Sequence, residues 1–116
     1  MMKNFRTYNL SAEFYKKSRN LNLKGAMKGQ FDRASLSIPL NLAEGWGKQT
    51  RKDRIKYFQI AFGSTRECQS LLQLQELTES DAYKALDKVA GSIYLLIKRA
   101  KWARFSSSTE NCLLNW

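Results

Sequence analysis

Residues 33–48 read RASLSIPLNLAEGWGK, and apolar side chains in and just before this stretch recur at helical spacing. One apolar stripe follows steps of three and four residues: Met27, Phe31, Ala34, Ile38 and Leu42. A second stripe lies on the opposite side of the same helix: Leu36, Leu40 and Ala43. A surface helix of a small monomer needs only one apolar face. A helix with two such faces is either central in its own domain or covered by another chain.

The second half of this helix contains a proline and is followed by glycines. Pro39 cannot donate a hydrogen bond to the carbonyl of Ser35, which leaves a gap in the helical ladder. Gly45 and Gly47 are residues that adopt the left-handed or turn conformations with which helices end. We therefore expect this helix, the second of the chain, to cover about 26–44.

Three other segments also carry helical periodicity. The first helix is expected over about 5–20, before a short connection. The third is expected over about 51–77, after the N-cap Thr50, and the fourth begins after the N-cap Ser80. Four long helices with short connections predict an all-α fold, an up-down-up-down antiparallel four-helix bundle.

The bundle is expected to occupy residues 1–104, and residues 105–116 are expected to form a flexible tail. The tail is rich in serine and has no helical period. The third helix, like the second, has a second apolar side: Tyr57, Ile60, Leu71 and Leu74. One alternative is that both helices are buried on several sides within one bundle, but four helices cannot hide both extra faces fully.

The spare apolar faces therefore predict a homo-oligomer. Seven residues are the candidates for its interface: Leu36, Leu40, Ala43, Tyr57, Ile60, Leu71 and Leu74.

Composition excludes several classes of function. The 116 residues are enough for one domain, and no run of about 18 apolar residues could span a membrane. The N-terminal residues lack the apolar core of a signal peptide, so we expect a cytoplasmic protein. The chain has no histidine, which removes the commonest general base and the commonest metal ligand.

We predict no catalytic site, no metal and no cofactor. Cys68 and Cys112 are far apart and lack the spacing of a metal site, and Cys68 is expected to be a core residue. The candidate carboxylates, Glu44 and Glu67, are isolated, and Glu44 beside Asn41 is more typical of a structural hydrogen bond. An enzyme remains the least favoured class.

Positive charge is the strongest functional signal. The net charge is +10, and the half of the chain through Lys56 carries 13 basic and 4 acidic residues. Such an excess attracts polyanions. The candidate phosphate contacts fall into two groups: Lys16, Lys17, Arg19, Lys24, Lys28, Lys48, Arg51, Lys52, Arg54 and Lys56, then Lys98, Arg99, Lys101 and Arg104. The plainer alternatives are solubility and, for the second group, favourable interaction with a helix dipole.

Trp46 or Tyr57 could stack on an unpaired base, although packing is the favoured role for both.

The segment RASxSIPxNxAEGxGK, residues 33–48, and the later segment FxIAxGSxxE, residues 58–67, resemble a small bacterial four-helix-bundle family. That family includes the intervening-sequence protein of large-subunit ribosomal RNA and the accessory variability determinant of diversity-generating retroelements. The resemblance covers about 5–101. Trp46 stands where relatives often have another aromatic residue, and Lys48 where they usually have arginine.

The resemblance implies a four-helix protomer in a barrel-shaped homopentamer without known catalytic activity. For the accessory protein it also implies binding of nucleic acid and of a reverse transcriptase. Two hypotheses are therefore open. The leading one is a non-enzymatic oligomer that binds RNA or DNA through a basic ring surface, in one version as the partner of a reverse transcriptase. The alternative is a structural adaptor that binds a protein and no nucleic acid. The sequence does not distinguish RNA from DNA.

Overall fold

Four helices make up the regular structure of residues 5–102, which are the residues that the computed structural model describes. They are α1 (Arg6–Ser18), α2 (Ala26–Trp46), α3 (Arg51–Leu74) and α4 (Asp81–Trp102). The prediction of an all-α four-helix bundle is confirmed for this range. The expected tail, with Cys112, and the predicted phosphate contact Arg104 lie outside the described residues.

Two of the helices begin where the capping residues predicted. The Thr50 hydroxyl accepts a hydrogen bond from the backbone N–H of Asp53 at 3.2 Å and starts α3. The Ser80 hydroxyl accepts from the backbone N–H of Tyr83 at 3.1 Å, directly before α4. Each hydroxyl satisfies one of the N–H groups that have no partner within the helix.

The end of α3 lies at Leu74, three residues earlier than predicted. Glu76 takes the left-handed conformation with φ 59°, the only described non-glycine residue between 5 and 102 with a positive φ. The Leu77 N–H then donates to the Leu72 carbonyl at 2.9 Å, and the Glu76 N–H donates to the Gln73 carbonyl at 3.0 Å. This pair of hydrogen bonds is the Schellman ending of a helix, which usually has glycine at the left-handed position. The apolar spacing extended the predicted helix to Leu77 because the Leu77 side chain packs against the core, although it lies beyond the end of α3.

Replacing Glu76 with glycine is expected to stabilise the protein by about 1 kcal/mol, because a side chain at a left-handed position costs roughly that amount. The measurement is the denaturant midpoint at a fixed protein concentration. Glu76→Ala is the control, since alanine keeps the Cβ atom and should bring no such gain. If the midpoint does not rise in Glu76→Gly, the side chain of Glu76 does not destabilise the left-handed conformation.

The core lies along the centre of the bundle, where α1 packs on α2 and α4, and α3 also packs on α2 and α4. The largest fully buried side chains come from all four helices and from Phe5: Phe5, Phe14, Phe31, Ile38, Leu42, Phe58, Leu72, Leu86, Val89 and Ile93. The first predicted stripe of α2 is confirmed as core except for Met27, which is 36% exposed in the first turn of α2. Leu96 of α4 is buried although we did not predict it.

Gly45 lies inside α2, and a Cβ atom added there would come within 2.7 Å of the Phe58 ring and 3.2 Å of the Arg54 carbonyl. A helix-ending conformation is therefore wrong for Gly45, which is helical, whereas Gly47 is the C-cap directly after Trp46 and has the turn conformation φ −81°, ψ −8° rather than the left-handed one. Gly45 instead allows α3 to approach α2 closely. Pro39 is buried, and α2 continues past it to Trp46.

Candidate nucleic-acid interface

The contacts of the first residues bring parts of all four helices to one end of the bundle. The Phe5 ring stacks on Trp46 with 4.2 Å between centroids, and its centroid lies 6.2 Å from that of Phe58. The start of α1 thus lies beside the end of α2 and the first half of α3. Arg6 and Arg99 line the same surface hollow, which places the end of α4 there as well.

This end of the bundle, which we call the basic end, consists of residues 5–10, 44–58 and 92–102. It carries nine cationic side chains: Arg6, Lys48, Arg51, Lys52, Arg54, Lys56, Lys98, Arg99 and Lys101. Only two carboxylates belong to the same ranges: Glu44 and Asp53. The fold therefore joins two groups of cations that are about 40 positions apart in the chain.

The opposite end, residues 13–33 and 70–88, is nearly balanced. It holds eight cationic residues and six carboxylates. Several of its cations are already paired: Lys17 with Glu13 at 3.1 Å, and both Lys28 and Arg19 with Asp32 at 3.0 and 3.4 Å. The Lys28 hydrogen bond is the main reason that the pKa of Asp32 lies below its ordinary value. Such exposed pairs contribute little stability, but they lower the local excess of positive charge.

Arg19 at this opposite end is also held in place by neighbouring side chains. Its guanidinium donates to the Ser35 hydroxyl at 2.7 Å and lies 4.0 Å from the centroid of the Tyr15 ring. Among the predicted phosphate contacts, Lys16, Lys17, Arg19, Lys24 and Lys28 therefore form a group apart from the basic end.

Arg54 has a structural role within the basic end. It is only 7% exposed, and its Nε atom donates to the carbonyl of Lys48 at 2.6 Å. A guanidinium in this position fixes the connection between α2 and α3. Its burial does not fit the predicted phosphate contact, whereas Lys52, Lys56 and Lys101 are exposed.

The two aromatic residues considered for base stacking differ in their surroundings. Trp46 is half-buried and already stacked on Phe5, which is the packing role. The half-buried Tyr57 ring lies close to two ammonium groups, with its centroid 5.1 Å from Lys48 Nζ and 5.8 Å from Lys56 Nζ. Tyr57 thus extends the cationic surface of the basic end.

Six of the seven predicted interface residues, on α2 and α3, are exposed or half-buried. Leu36, Leu40, Ile60 and Leu74 are 43%, 56%, 42% and 69% exposed, while Ala43 and Tyr57 are half-buried. The Ser37 and Ser64 hydroxyls are hydrogen-bonded at 2.9 Å between α2 and α3, and Leu40 and Ile60 lie one turn from them on each helix. Leu71 is a correction, because it is 7% exposed and belongs to the protomer core.

Glu44 and the Cys68 thiol have surroundings that are typical of structural residues. Glu44 is paired with Lys48 at 3.7 Å, and the Asn41 amide donates to the Ser37 carbonyl, not to Glu44. Burial raises the pKa of the Cys68 thiol to about 12, so it stays protonated in the core.

Within residues 5–102 no group of three or more Cys, Asp or Glu side chains could hold a metal ion. None of the helices in that range is both long and apolar enough to cross a membrane.

Two residues of the basic end, Arg6 and Tyr94, were not predicted from the sequence. Arg6 is isolated in sequence, and only the packing of α1 on α4 brings it to Arg99. Tyr94 was not predicted as a site residue, but its spacing of four from Lys98 and eight from Trp102 is visible in the sequence. That spacing is the signal that could have found it.

Comparison with known proteins identifies the family. Residues 5–100 match the model of the family described as 23S rRNA-intervening sequence protein. No curated protein and no solved structure matches the chain significantly. The matched range contains all four helices except the last two residues of α4. The chain belongs to the 23S rRNA-intervening sequence protein family.

Proposed function

We propose that this protein is a non-enzymatic, oligomeric nucleic-acid-binding protein that binds RNA through the basic end of each protomer. The observation that carries the proposal is the uneven charge: nine cations against two carboxylates at one end, and eight against six at the other. The description of the family refers to 23S rRNA, which favours RNA over DNA as the ligand.

Phosphate groups are the part of RNA that the basic end would contact. Exposed lysines such as Lys52, Lys56 and Lys101 attract phosphates and displace the counterions that surround them. Contacts of this kind give affinity and orientation but carry little information about sequence. The expected ligand is therefore recognised mainly by its charge and shape.

An up-down-up-down order of the four helices is part of this proposal. Contacts between neighbouring helices join a residue near the start of one helix to a residue in the second half of the other, as in Phe5 with Trp46, Asp87 with Gln69, and Thr7 with Ser92. The connections between helices are short, as antiparallel neighbours require.

The exposed apolar surface on α2 and α3 supports a homo-oligomer. Leu36, Leu40 and Ile60 are large apolar residues near the Ser37–Ser64 contact, and a second copy would remove them from water. A ring of five, which the family resemblance implies, would carry about +50 and would bring several basic ends together. Light scattering after size exclusion should give a mass near five protomers, and a monomer would contradict the oligomer.

A protein partner is the second candidate ligand, because the same apolar surface could dock a protein instead of another copy. A cytoplasmic adaptor that binds a reverse transcriptase is one form of this alternative. Capture of such a partner that survives nuclease treatment, together with no affinity for RNA, would favour the adaptor.

The test of RNA binding uses two variants with the same change of charge. The basic-end variant carries Lys52→Gln, Lys56→Gln and Lys101→Gln, and the control carries Lys16→Gln, Lys24→Gln and Lys84→Gln at the opposite end. We expect the basic-end variant to bind a structured RNA at least about tenfold more weakly at low salt, because up to three phosphate contacts are lost. The control should change affinity by less than about threefold. Equal losses in the two variants would contradict the proposed surface.

A further inference from the structure

The outer face of α4 combines aromatic and cationic side chains. Tyr94, Lys98 and Trp102 are spaced four residues apart and therefore lie along one side of the helix. Tyr94 is 54% exposed and Trp102 is 77% exposed. Lys101, seven residues after Tyr94, lies on the same side. We call this set the α4 aromatic face.

The environment of Tyr94 leaves part of its ring available for contact. The Phe62 ring lies 6.5 Å away between centroids at a tilt of 46°, so it supports one part of the Tyr94 ring. Lys98 Nζ lies 5.9 Å from the Tyr94 centroid. With more than half of the side chain exposed, a further flat group could still stack on it.

The charge of the face determines the kind of partner. Residues 91–102 contain Lys98, Arg99 and Lys101 and no carboxylate, and they continue into the basic end. An apolar protein surface would have to desolvate these cations at a cost. A polyanion with exposed flat rings would instead match both the cations and the aromatic side chains.

We propose that the α4 aromatic face binds single-stranded RNA, with unpaired bases stacked on Tyr94 and Trp102 and phosphates held by Lys98 and Lys101. The inference rests on the proposed RNA-binding function and specifies the form of RNA. Eight helical residues separate the two aromatic positions by about 12 Å. That length is several times the spacing of about 3.4 Å between stacked bases, so the two rings take two separate bases.

Single-stranded RNA fits this face better than duplex RNA. In an A-form duplex the bases are stacked inside and paired, so their flat faces cannot reach a protein side chain. Phosphates of a duplex can still contact Lys98 and Lys101. Stacking on Tyr94 and Trp102 therefore favours single-stranded over duplex RNA, whereas contacts with the lysines alone give no such preference.

The experiment compares two RNA probes, an unstructured oligouridylate and a blunt duplex of the same length, on the full chain. We expect Tyr94→Leu and Trp102→Leu each to weaken binding of the single strand about tenfold, because stacking of one base contributes on that order. Binding of the duplex should change by less than about threefold. Met27→Ala, at the opposite end of the bundle and 36% exposed, removes apolar surface without a ring and should leave both affinities unchanged.

Each outcome decides the inference. Unchanged affinity for the single strand in Tyr94→Leu and Trp102→Leu, or an equal loss for both probes, overturns it while RNA binding itself stands. A lower oligomeric mass in these variants would also overturn it, since the face would then be a contact between copies. A wild-type protein that binds neither probe overturns both this inference and the proposed function.

Discussion

Replacing Phe58 with alanine is expected to lower the free energy of unfolding by about 3–5 kcal/mol, the usual cost of removing a large buried ring. Phe58 is 2% exposed and lies where α3 meets α2 and the start of α1. It is close to the Phe5 ring, which is itself stacked on Trp46. A cavity at this point would loosen the start of α1, the end of α2 and the start of α3, all of which belong to the basic end.

The measurement for Phe58→Ala is the chemical denaturation curve at a fixed protomer concentration, because assembly would otherwise change the apparent stability. Gln59→Ala is the control, since the neighbouring Gln59 is exposed and should change stability by less than about 0.5 kcal/mol. A loss for Phe58→Ala as small as that of the control would show that the ring is not part of a closely packed core.

Replacing Gly45 with alanine is the second large effect, expected to destabilise by about 1–3 kcal/mol. Alanine normally strengthens a helix relative to glycine by roughly 1 kcal/mol. Here the added Cβ atom would meet the Phe58 ring at 2.7 Å and the Arg54 carbonyl at 3.2 Å, so α2 and α3 would have to separate. The steric conflict outweighs the helical preference because the backbone carbonyl cannot rotate away as a flexible side chain can.

Gly63→Ala provides the matched control for Gly45→Ala. Gly63 lies inside α3, and an added Cβ atom would meet nothing within 4 Å, so alanine should stabilise by up to about 1 kcal/mol. A second check uses Phe58→Leu, whose smaller side chain should reduce the cost of Gly45→Ala in the double variant. Additive losses of Gly45→Ala and Phe58→Leu would contradict a direct contact between these positions.

The fold was largely predictable because its signals are local. Apolar spacing marked the four helices, and the hydroxyls of Thr50 and Ser80 marked two helix starts. The left-handed Glu76 was not predictable, since a residue with a side chain is unfavourable there, and the backbone hydrogen bonds of Leu77 and Glu76 stabilise it. Gly45 was misread for a related reason: close packing and chain reversal both require glycine, and sequence alone does not distinguish them.

The candidate site was less predictable because it depends on which helix ends come together. The cations were visible in the sequence, but their division into a basic end and a balanced end follows from the packing of the helices. Burial also differs between cations of the same segment, since Arg54 is buried and Lys56 is exposed. Likewise Leu71 joined the core while Leu74, three residues later, is 69% exposed.

The most direct test of RNA binding through the basic end is the salt dependence of RNA affinity. The logarithm of the association constant should fall linearly with the logarithm of salt concentration, by about 0.7–0.9 units for each phosphate contact. We predict that Lys52→Gln/Lys56→Gln/Lys101→Gln has a slope shallower than wild type by about two units or more. The opposite-end variant Lys16→Gln/Lys24→Gln/Lys84→Gln should keep the wild-type slope. A single slope shared by all three proteins would contradict the account.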